Sequence, residues 1–322
     1  MTILTVENLT VCFPGRRGTI NAIEDVSLSV SAGEILGMVG ESGAGKSMTG
    51  AAIIGLIEPP GRIAKGEIRL EGERIDNLRP EAMRRLRGRR IGAIFQDPLT
   101  SLNPVLTVGE QLIETIQTHL RLPRSQARER AIDWLRRVGI PAPEARIDTY
   151  PHQYSGGMRQ RVVIALALCA EPQLVIADEP TTALDVSVQA QIIALLRKLA
   201  RETGVAVILV THDMGVIAET ADRVAVMYAG RIVEIGEVAD VLTAPKHPYT
   251  SGLMASIPRI GERPETLPQI EGAMPRPHAR PEGCAFAPRC PHRMEICTRE
   301  RPEPRGTLTR SVACHLTEEV PA

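Results

Sequence analysis

The chain has 322 residues, of which 43% are hydrophobic, so its length and composition allow one large domain with a sizeable core and a smaller module. Only 2% of the residues are aromatic, and we therefore expect an aliphatic core. The formal net charge is zero and the pI is about 7.1, so overall charge offers no support for nucleic-acid binding.

The sequence also argues against secretion and against direct membrane insertion. The N-terminal stretch lacks the basic-then-apolar layout of a signal peptide, and we find no charge-free apolar run long enough to cross a bilayer. Six cysteines in such a chain argue against a disulfide framework. We expect a cytosolic protein that reaches a membrane only through partners, with Cys12 and Cys169 as small core residues.

Hydrophobic periodicity predicts the elements in chain order. Alternation predicts strands at residues 2–11 and 22–30, followed by a buried strand at 34–39, a helix at 45–56 and a hairpin at 66–75. Helical patterns follow at 108–138 and 156–170, then a strand at 174–177, a helix at 186–201, and strands at 205–210, 224–227 and 231–235. Alternating strands and helices indicate a parallel α/β core.

Composition changes near residue 245, where Pro, Arg and Glu become frequent and periodicity weakens. We therefore predict a nucleotide-binding domain over residues 1–245, with a helical insertion at about 97–168. Residues 246–322 are predicted to form a small, irregular C-terminal extension.

Residues 40–47 form a phosphate-loop motif. Gly40-Glu41-Ser42-Gly43-Ala44-Gly45-Lys46-Ser47 fits G-x-x-x-x-G-K-[ST], and it lies between a predicted strand and a predicted helix. Glycines let the backbone approach phosphate oxygens, and a helix N-terminus favours anions. Lys46 is predicted to contact the β- and γ-phosphates and Ser47 to ligate Mg²⁺, with Met48 completing the binding segment.

Two acids end the predicted buried strand at 174–177. Ligands gather at the carboxyl ends of parallel strands, so Asp178 and Glu179 are placed to face the nucleotide. Asp178 is predicted to hold Mg²⁺ through water, and Glu179 to act as general base or to orient the attacking water. The alternative for an acid at this point is a helix N-cap.

A second glycine-containing segment, Ser155-Gly156-Gly157-Met158-Arg159-Gln160, opens another predicted helix. It can donate backbone N–H groups to a phosphate, but it has no lysine of its own and is an incomplete site. This incompleteness implies a dimer in which the segment closes over nucleotide held by another phosphate loop. The alternative is an N-capped helix that tolerates two glycines.

The order of these motifs resembles the ATP-binding subunits of ABC transporters. Residues 95–104, Phe-Gln-Asp-Pro-Leu-Thr-Ser-Leu-Asn-Pro, are similar to the dipeptide/oligopeptide importer branch, and residues 161–168 resemble the first, D-type, of its two ATPase subunits. The resemblance runs from about residue 4 to residue 314. It implies a P-loop NTPase with an ABC-type nucleotide-binding domain: a parallel-sheet core, an antiparallel β subdomain, a helical insertion and a Cys-rich C-terminal module.

The resemblance assigns further roles. It implies that Gln96 reaches Mg²⁺ and the water, that His212 contacts the γ-phosphate, and that Phe13 stacks on adenine. It also implies that Ser155, Gly156, Gly157, Gln160 and Asp185 contact the ATP of the partner subunit. The alternatives are a surface position for Gln96, a core position for Phe13, a helix N-cap for Asp185 and an ordinary polar role for His212.

Four cysteines cluster near the C-terminus. Cys284, Cys290, Cys297 and Cys314 lack the C-x-x-C spacing of common zinc sites, yet four cysteines suffice for an iron–sulfur cluster or a tetrahedral zinc site. The family resemblance favours a [4Fe–4S] cluster. Zinc, free thiols and a redox-sensing role remain alternatives, with His278, His292 and His315 as substitute ligands.

The resemblance implies an ATP-hydrolysing subunit that drives peptide import at the cytoplasmic face of a bacterial inner membrane. Its implied partners are a paralogous ATPase subunit, two transmembrane permeases and an extracytoplasmic peptide-binding protein. The alternative is a soluble ATPase of the same superfamily acting on DNA or ribosomes. The Arg-rich run at residues 83–90 fits either a nucleic-acid or lipid patch or a solvated helix face. The cargo stays open between dipeptides, longer peptides, glutathione and nickel chelates.

Overall fold

The computed structural model describes residues 1–15, 18–182, 184–257 and 269–317. The strands are β1 (Thr2–Gly15), β2 (Gly18–Ser31), β3 (Ile35–Val39), β4 (Arg62–Leu70), β5 (Glu73–Arg74), β6 (Ile91–Ile94), β7 (Leu174–Asp178), β8 (Ala206–Val210), β9 (Arg223–Tyr228), β10 (Arg231–Glu237), β11 (Arg305–Gly306) and β12 (Ser311–Val312). The helices are α1 (Lys46–Ile53), α2 (Pro80–Leu86), α3 (Pro98–Ser101), α4 (Val108–Leu120), α5 (Arg124–Arg137), α6 (Pro143–Arg146), α7 (Gly156–Leu168), α8 (Val186–Thr203), α9 (Met214–Thr220), α10 (Val238–Thr243), α11 (Pro248–Ala255) and α12 (Ile296–Arg299).

The chain folds into two compact units. The first unit contains residue 1 and residues 30–35 and 77–210, and the second contains residues 2–29, 36–76 and 211–322. Each unit is therefore assembled from separate stretches of sequence. The predicted boundary near residue 245 stays a prediction.

In the first unit, β7 lies between β6 and β8 and pairs in parallel with both. Its first four residues are buried, which fits the apolar sequence of a strand covered on both faces. Helices α4, α5 and α7 pack against one another. The helical pattern at 108–138 divides into α4 and α5 because Arg121 adopts a left-handed conformation and Pro123 restricts the residue before it.

The second unit contains an antiparallel sheet in the order β2-β1-β4-β5 and a run of strands in the order β11-β12-β10-β9-β3. The hairpin predicted at residues 66–75 is present as the antiparallel pair β4–β5. β3 pairs in parallel with β9, and its carboxyl end leads directly into the phosphate loop and α1. The C-terminal strand β12 pairs with β10, so the predicted irregular extension contributes a strand at this edge.

The buried side chains are mainly aliphatic, as the composition predicted, and Cys12 and Cys169 are 2% and 0% exposed. Three large aromatic residues, Trp134, Tyr228 and Tyr249, are fully buried. Among the helices in the described part of the chain, none combines the length and the apolar character needed to cross a bilayer.

Candidate functional site

The phosphate loop curls around the ammonium group of Lys46. The Lys46 Nζ atom donates hydrogen bonds to the carbonyl oxygens of Gly40 and Glu41, at 2.7 and 3.1 Å. Lys46 is the first residue of α1, and only 6% of it is exposed. The lysine is therefore held at a helix N-terminus, where backbone N–H groups favour an anion.

Two glycines of the loop occupy positions that a side chain could not share. At Gly40 φ is 153°, and a Cβ atom would lie 2.2 Å from the carbonyl oxygen of Met227. At Gly45 φ is 107°, and a Cβ atom would lie 2.7 Å from Ile23 Cγ2. These glycines allow the loop to pass close to neighbouring backbone, which is the geometry a phosphate-binding loop needs.

In the first unit, the side chain of Glu179 is held by two donors. Gln96 Nε2 and Thr182 Oγ1 donate to the same carboxylate oxygen of Glu179, at 3.0 and 2.8 Å. Glu179 lies directly after β7 with φ at 46°, and its N–H bonds the carbonyl oxygen of Val210 at 2.9 Å. A non-glycine residue in this conformation costs roughly 1–3 kcal/mol and is typical of functional sites.

The structure thus brings together two of the three predicted catalytic residues, Gln96 and Glu179, within one unit. Asp178 is the last residue of β7 and is partly exposed. His212 and Phe13 belong to the second unit. His212 is exposed just before α9, and the Phe13 ring lies against Gly61, where an added Cβ would be 2.5 Å from Phe13 Cε1.

The glycine-containing segment at residues 155–160 starts α7. Ser155 is its N-cap, and its hydroxyl accepts a hydrogen bond from the Met158 N–H at 3.3 Å. Among the residues that the structure describes, a Cβ atom at Gly156 would meet only Leu184 Cδ2, at 3.7 Å, whereas one at Gly157 would lie 2.7 Å from Val188 Cγ1. Ser155 and Gly156 are both exposed at the start of this helix.

The other two residues predicted to contact the partner's nucleotide, Asp185 and Gln160, differ in their surroundings. Asp185 caps α8: its Oδ1 accepts from the Val188 N–H at 3.0 Å and from the Ser187 hydroxyl at 2.7 Å. The Val188 N–H and then the Ser187 hydroxyl lower the pKa of Asp185. Gln160 is fully buried, and neither atom of its amide has a partner among the described residues. Contact of either residue with another subunit stays a prediction.

The four C-terminal cysteines are free thiols in the structure. Burial raises the pKa of Cys284, Cys290 and Cys314, and other cysteines of the group raise it further through charge repulsion. Within the described ranges, no three His, Cys, Asp or Glu side chains converge as ligands of one metal ion. The cysteine-rich metal module is therefore unsupported by this geometry, and the metal site stays a prediction.

Comparisons with known proteins show which family has this sequence and architecture. The family model described as ABC transporter matches residues 23–182, and that described as oligopeptide/dipeptide transporter, C-terminal region, matches residues 233–297. The dipeptide transport ATP-binding protein of Bacillus subtilis is 49% identical over 98% of this chain and 95% of its own. The oligopeptide transport ATP-binding protein of Escherichia coli is 47% identical over 97% and 92%.

The chain belongs to the dipeptide/oligopeptide family of ABC transporter ATP-binding proteins. A dimeric ATP-binding cassette solved with ADP and phosphate matches it with a TM-score of 0.65 and 29% identity, over 73% of this chain and 99% of the other. The predicted P-loop NTPase fold of the ABC class is thereby confirmed. As a member of this family, the chain is an ATPase.

Three residues of this ABC-type ATPase were missed by the sequence-based prediction. Thr182 shares the Glu179 carboxylate with Gln96, and Tyr249 and Arg289 bind Glu41 in the phosphate loop. Thr182 lies three residues after Glu179 and could have been found as a local hydrogen-bonding partner. Tyr249 and Arg289 lie more than 200 positions from Glu41, and nothing in their local sequence indicates the contact.

Proposed function

We propose that this ABC-type ATPase energises import of dipeptides or oligopeptides. The observation that carries this proposal is the extent of the similarity. It continues beyond the ATPase cassette into residues 233–297, the C-terminal region described for oligopeptide/dipeptide transporters. Relatives named for dipeptide or oligopeptide transport are 46–49% identical to the chain over nearly its whole length.

The phosphate loop binds ATP in this proposal. Lys46 contacts the β- and γ-phosphates, and Ser47 and Asp178 hold Mg²⁺, directly and through water. When bound, Mg²⁺ neutralises charge on the phosphate oxygens. Met48 completes the ATP-binding segment that begins at Gly40, and Phe13 stacks on the adenine ring. The positive end of α1 and the loop N–H groups add to the attraction for the anion.

Glu179 orients the attacking water. Its carboxylate is held by hydrogen bonds from Gln96 and Thr182. Holding a reactive group in place removes part of the entropy cost of the reaction. His212 contacts the γ-phosphate and helps to align the carboxylate with it.

The site is completed by a second subunit. Ser155, Gly156, Gly157, Gln160 and Asp185 contact ATP on the facing protomer, because the start of α7 offers N–H groups but no lysine. Dimer closure on ATP moves the helical insertion at about residues 97–168 and reorients the permeases. The partners are a paralogous ATPase subunit, two membrane permeases and an extracytoplasmic peptide-binding protein, at the cytoplasmic face of the inner membrane.

The first experiment separates ATP binding from hydrolysis. We expect Glu179→Gln to abolish turnover while stabilising an ATP-bound dimer, measured by phosphate release and by sedimentation with ATP and Mg²⁺. Wild-type ATP turnover by this variant would contradict the proposed role of Glu179 in orienting the attacking water. Copurification with integral membrane proteins tests the transport assignment, whereas salt-sensitive binding to nucleic acid would favour the alternative superfamily role.

We also propose a [4Fe–4S] cluster on Cys284, Cys290, Cys297 and Cys314. Ligands of a single zinc ion must converge on one point, whereas each cysteine of a four-iron cluster binds a different iron. Burial, and to a lesser extent repulsion from the other cysteines, raises the pKa of Cys284 and Cys314, and bound iron would stabilise their thiolates. Anaerobic purification with iron, sulfide and zinc assays tests this, and a colourless protein that contains only zinc refutes it.

A further inference from the structure

Glu41, the second residue of the phosphate loop, is bound on both its side chain and its backbone by residues from the C-terminal part of the chain. Arg289 Nη1 donates to both carboxylate oxygens of Glu41, at 2.9 and 3.1 Å. The hydroxyl of Tyr249 accepts a hydrogen bond from the Glu41 N–H at 3.0 Å. All three residues belong to the second unit.

Arg289 is itself held in one position. Its Nε donates to the carbonyl oxygen of Glu271 at 2.9 Å, its Nη2 to that of Ile270 at 3.1 Å, and its Nη1 to the Tyr228 hydroxyl at 3.3 Å. The guanidinium lies 5.8 Å from the centroid of the Tyr228 ring, and the Arg289 side chain is 6% exposed. A nearly buried charge with this many partners loses little further entropy when it holds Glu41.

The surroundings of this contact are closely packed. Tyr228, Tyr249 and Phe286 form an aromatic cluster with centroid separations of 4.6, 5.3 and 5.4 Å. Met274 lies beside the loop, because a Cβ atom at Gly43 would be 3.4 Å from Met274 Cε. The phosphate loop therefore packs against several parts of the C-terminal sequence.

We propose that Arg289 and Tyr249 are positioning residues for nucleotide binding by the phosphate loop. Arg289 neutralises the one acidic side chain of the loop, and Tyr249 fixes the Glu41 backbone so that the following N–H groups face the ligand. This inference rests on the proposed role of the loop in binding ATP. An unpaired carboxylate beside a polyphosphate would repel it, and the repulsion is strongest where water is partly excluded.

The same residue connects the loop to the cysteine segment. Arg289 ends the single helical turn Ala287–Arg289, which is followed directly by Cys290. The Ala287 N–H donates to the carbonyl oxygen of Cys284 at 3.0 Å. The fold of the segment that carries two of the four cysteines therefore sets the position of the guanidinium that holds Glu41.

The test measures ATP affinity of the full-length chain by calorimetric titration. We expect Arg289→Gln to weaken ATP binding about tenfold, the order expected for one charge-assisted interaction. Adding Glu41→Gln to that variant restores affinity to within about threefold of the wild type, because the repelling charge is removed. Arg289→Lys keeps the charge and retains most of the affinity. Arg299→Ala, which removes an exposed arginine paired with Glu295, is the control and leaves affinity unchanged.

Two further variants, measured in the same way, ensure that each outcome either supports or contradicts the proposal. Tyr249→Phe keeps the ring and removes only the hydroxyl, and we expect it to bind ATP roughly threefold more weakly. If Arg289→Gln does not fold, Tyr249→Phe tests the proposal in its place. Wild-type affinity in both Arg289→Gln and Tyr249→Phe overturns the proposal, and so does a loss that Glu41→Gln does not restore. Lys46→Ala tests the loop itself: wild-type ATP binding by that variant refutes the proposed ATP site rather than the role of Arg289.

Discussion

Substitution of Gly156 separates the proposed intersubunit contact from the stability of the chain. Within the described part of the chain, a Cβ atom at Gly156 meets only Leu184 Cδ2, at an ordinary van der Waals distance of 3.7 Å, and φ is not in the left-handed region. Gly156→Ala therefore fits within its own protomer. Reduced freedom of the unfolded chain stabilises such a variant by about 0.4–1 kcal/mol, which raises Tm by no more than about 2–4 °C.

In the proposed dimer, the same methyl group would lie where the partner's γ-phosphate approaches the helix N-terminus. Loss of one hydrogen bond between a backbone N–H and a charged phosphate costs about 1.5–3 kcal/mol, so turnover should fall about tenfold to hundredfold. Steady-state phosphate release and thermal unfolding on the same preparations measure the two effects. Gly157→Ala is the contrast: its Cβ would lie 2.7 Å from Val188 Cγ1, and we expect a lower Tm.

Full ATPase activity in Gly156→Ala, with ATP-driven dimerisation intact, would refute this reasoning. A fall in activity accompanied by an equal loss of stability would refute it as well, because the damage would then lie within the protomer. The predicted combination is a protein that is at least as stable as the wild type and much less active.

Two further predictions follow from the contacts of Glu179 and from a buried histidine. Thr182→Val removes the hydroxyl that donates to Glu179 at 2.8 Å, and we expect kcat to fall roughly fivefold with little change in KM. Thr243→Val, at an exposed position that ends α10, leaves kcat unchanged. Burial lowers the pKa of His247 to about 4, so the unfolded state binds a proton more readily below about pH 6.5. The free energy of unfolding should therefore fall progressively as the pH is lowered from 6.5 to 4, by up to about 3 kcal/mol. His247→Asn keeps an acceptor for the Tyr249 N–H, and in denaturant titrations we expect this variant to show a weaker pH dependence. An unchanged kcat in Thr182→Val, or the same pH dependence in His247→Asn, would contradict these assignments.

Local sequence predicted the order of strands and helices because hydrophobic periodicity reports burial directly. The boundaries of β3, β7 and β8 differ by about one residue from the prediction, and their apolar runs leave little choice of structure. The phosphate loop was equally predictable, because a positive φ at Gly45 and the close approach at Gly40 admit only glycine.

Contacts between distant parts of the chain were not predictable in the same way. Arg289 pairs with Glu41 across 248 positions, and such a pairing has no local signature. The mostly helical pattern predicted at residues 108–138 is confirmed by α4 and α5, although the prediction did not place the break between them. Residues 258–268, which belong to the predicted C-terminal extension, lie outside the described residues.

The most direct measurement is the ATPase rate per chain of the isolated protein as its concentration is raised, alongside its oligomeric state from sedimentation velocity. If the start of α7 in one subunit must cover nucleotide bound to another, specific activity rises with protein concentration and follows the dimer fraction. Constant specific activity across a range in which sedimentation finds only monomer would contradict the account.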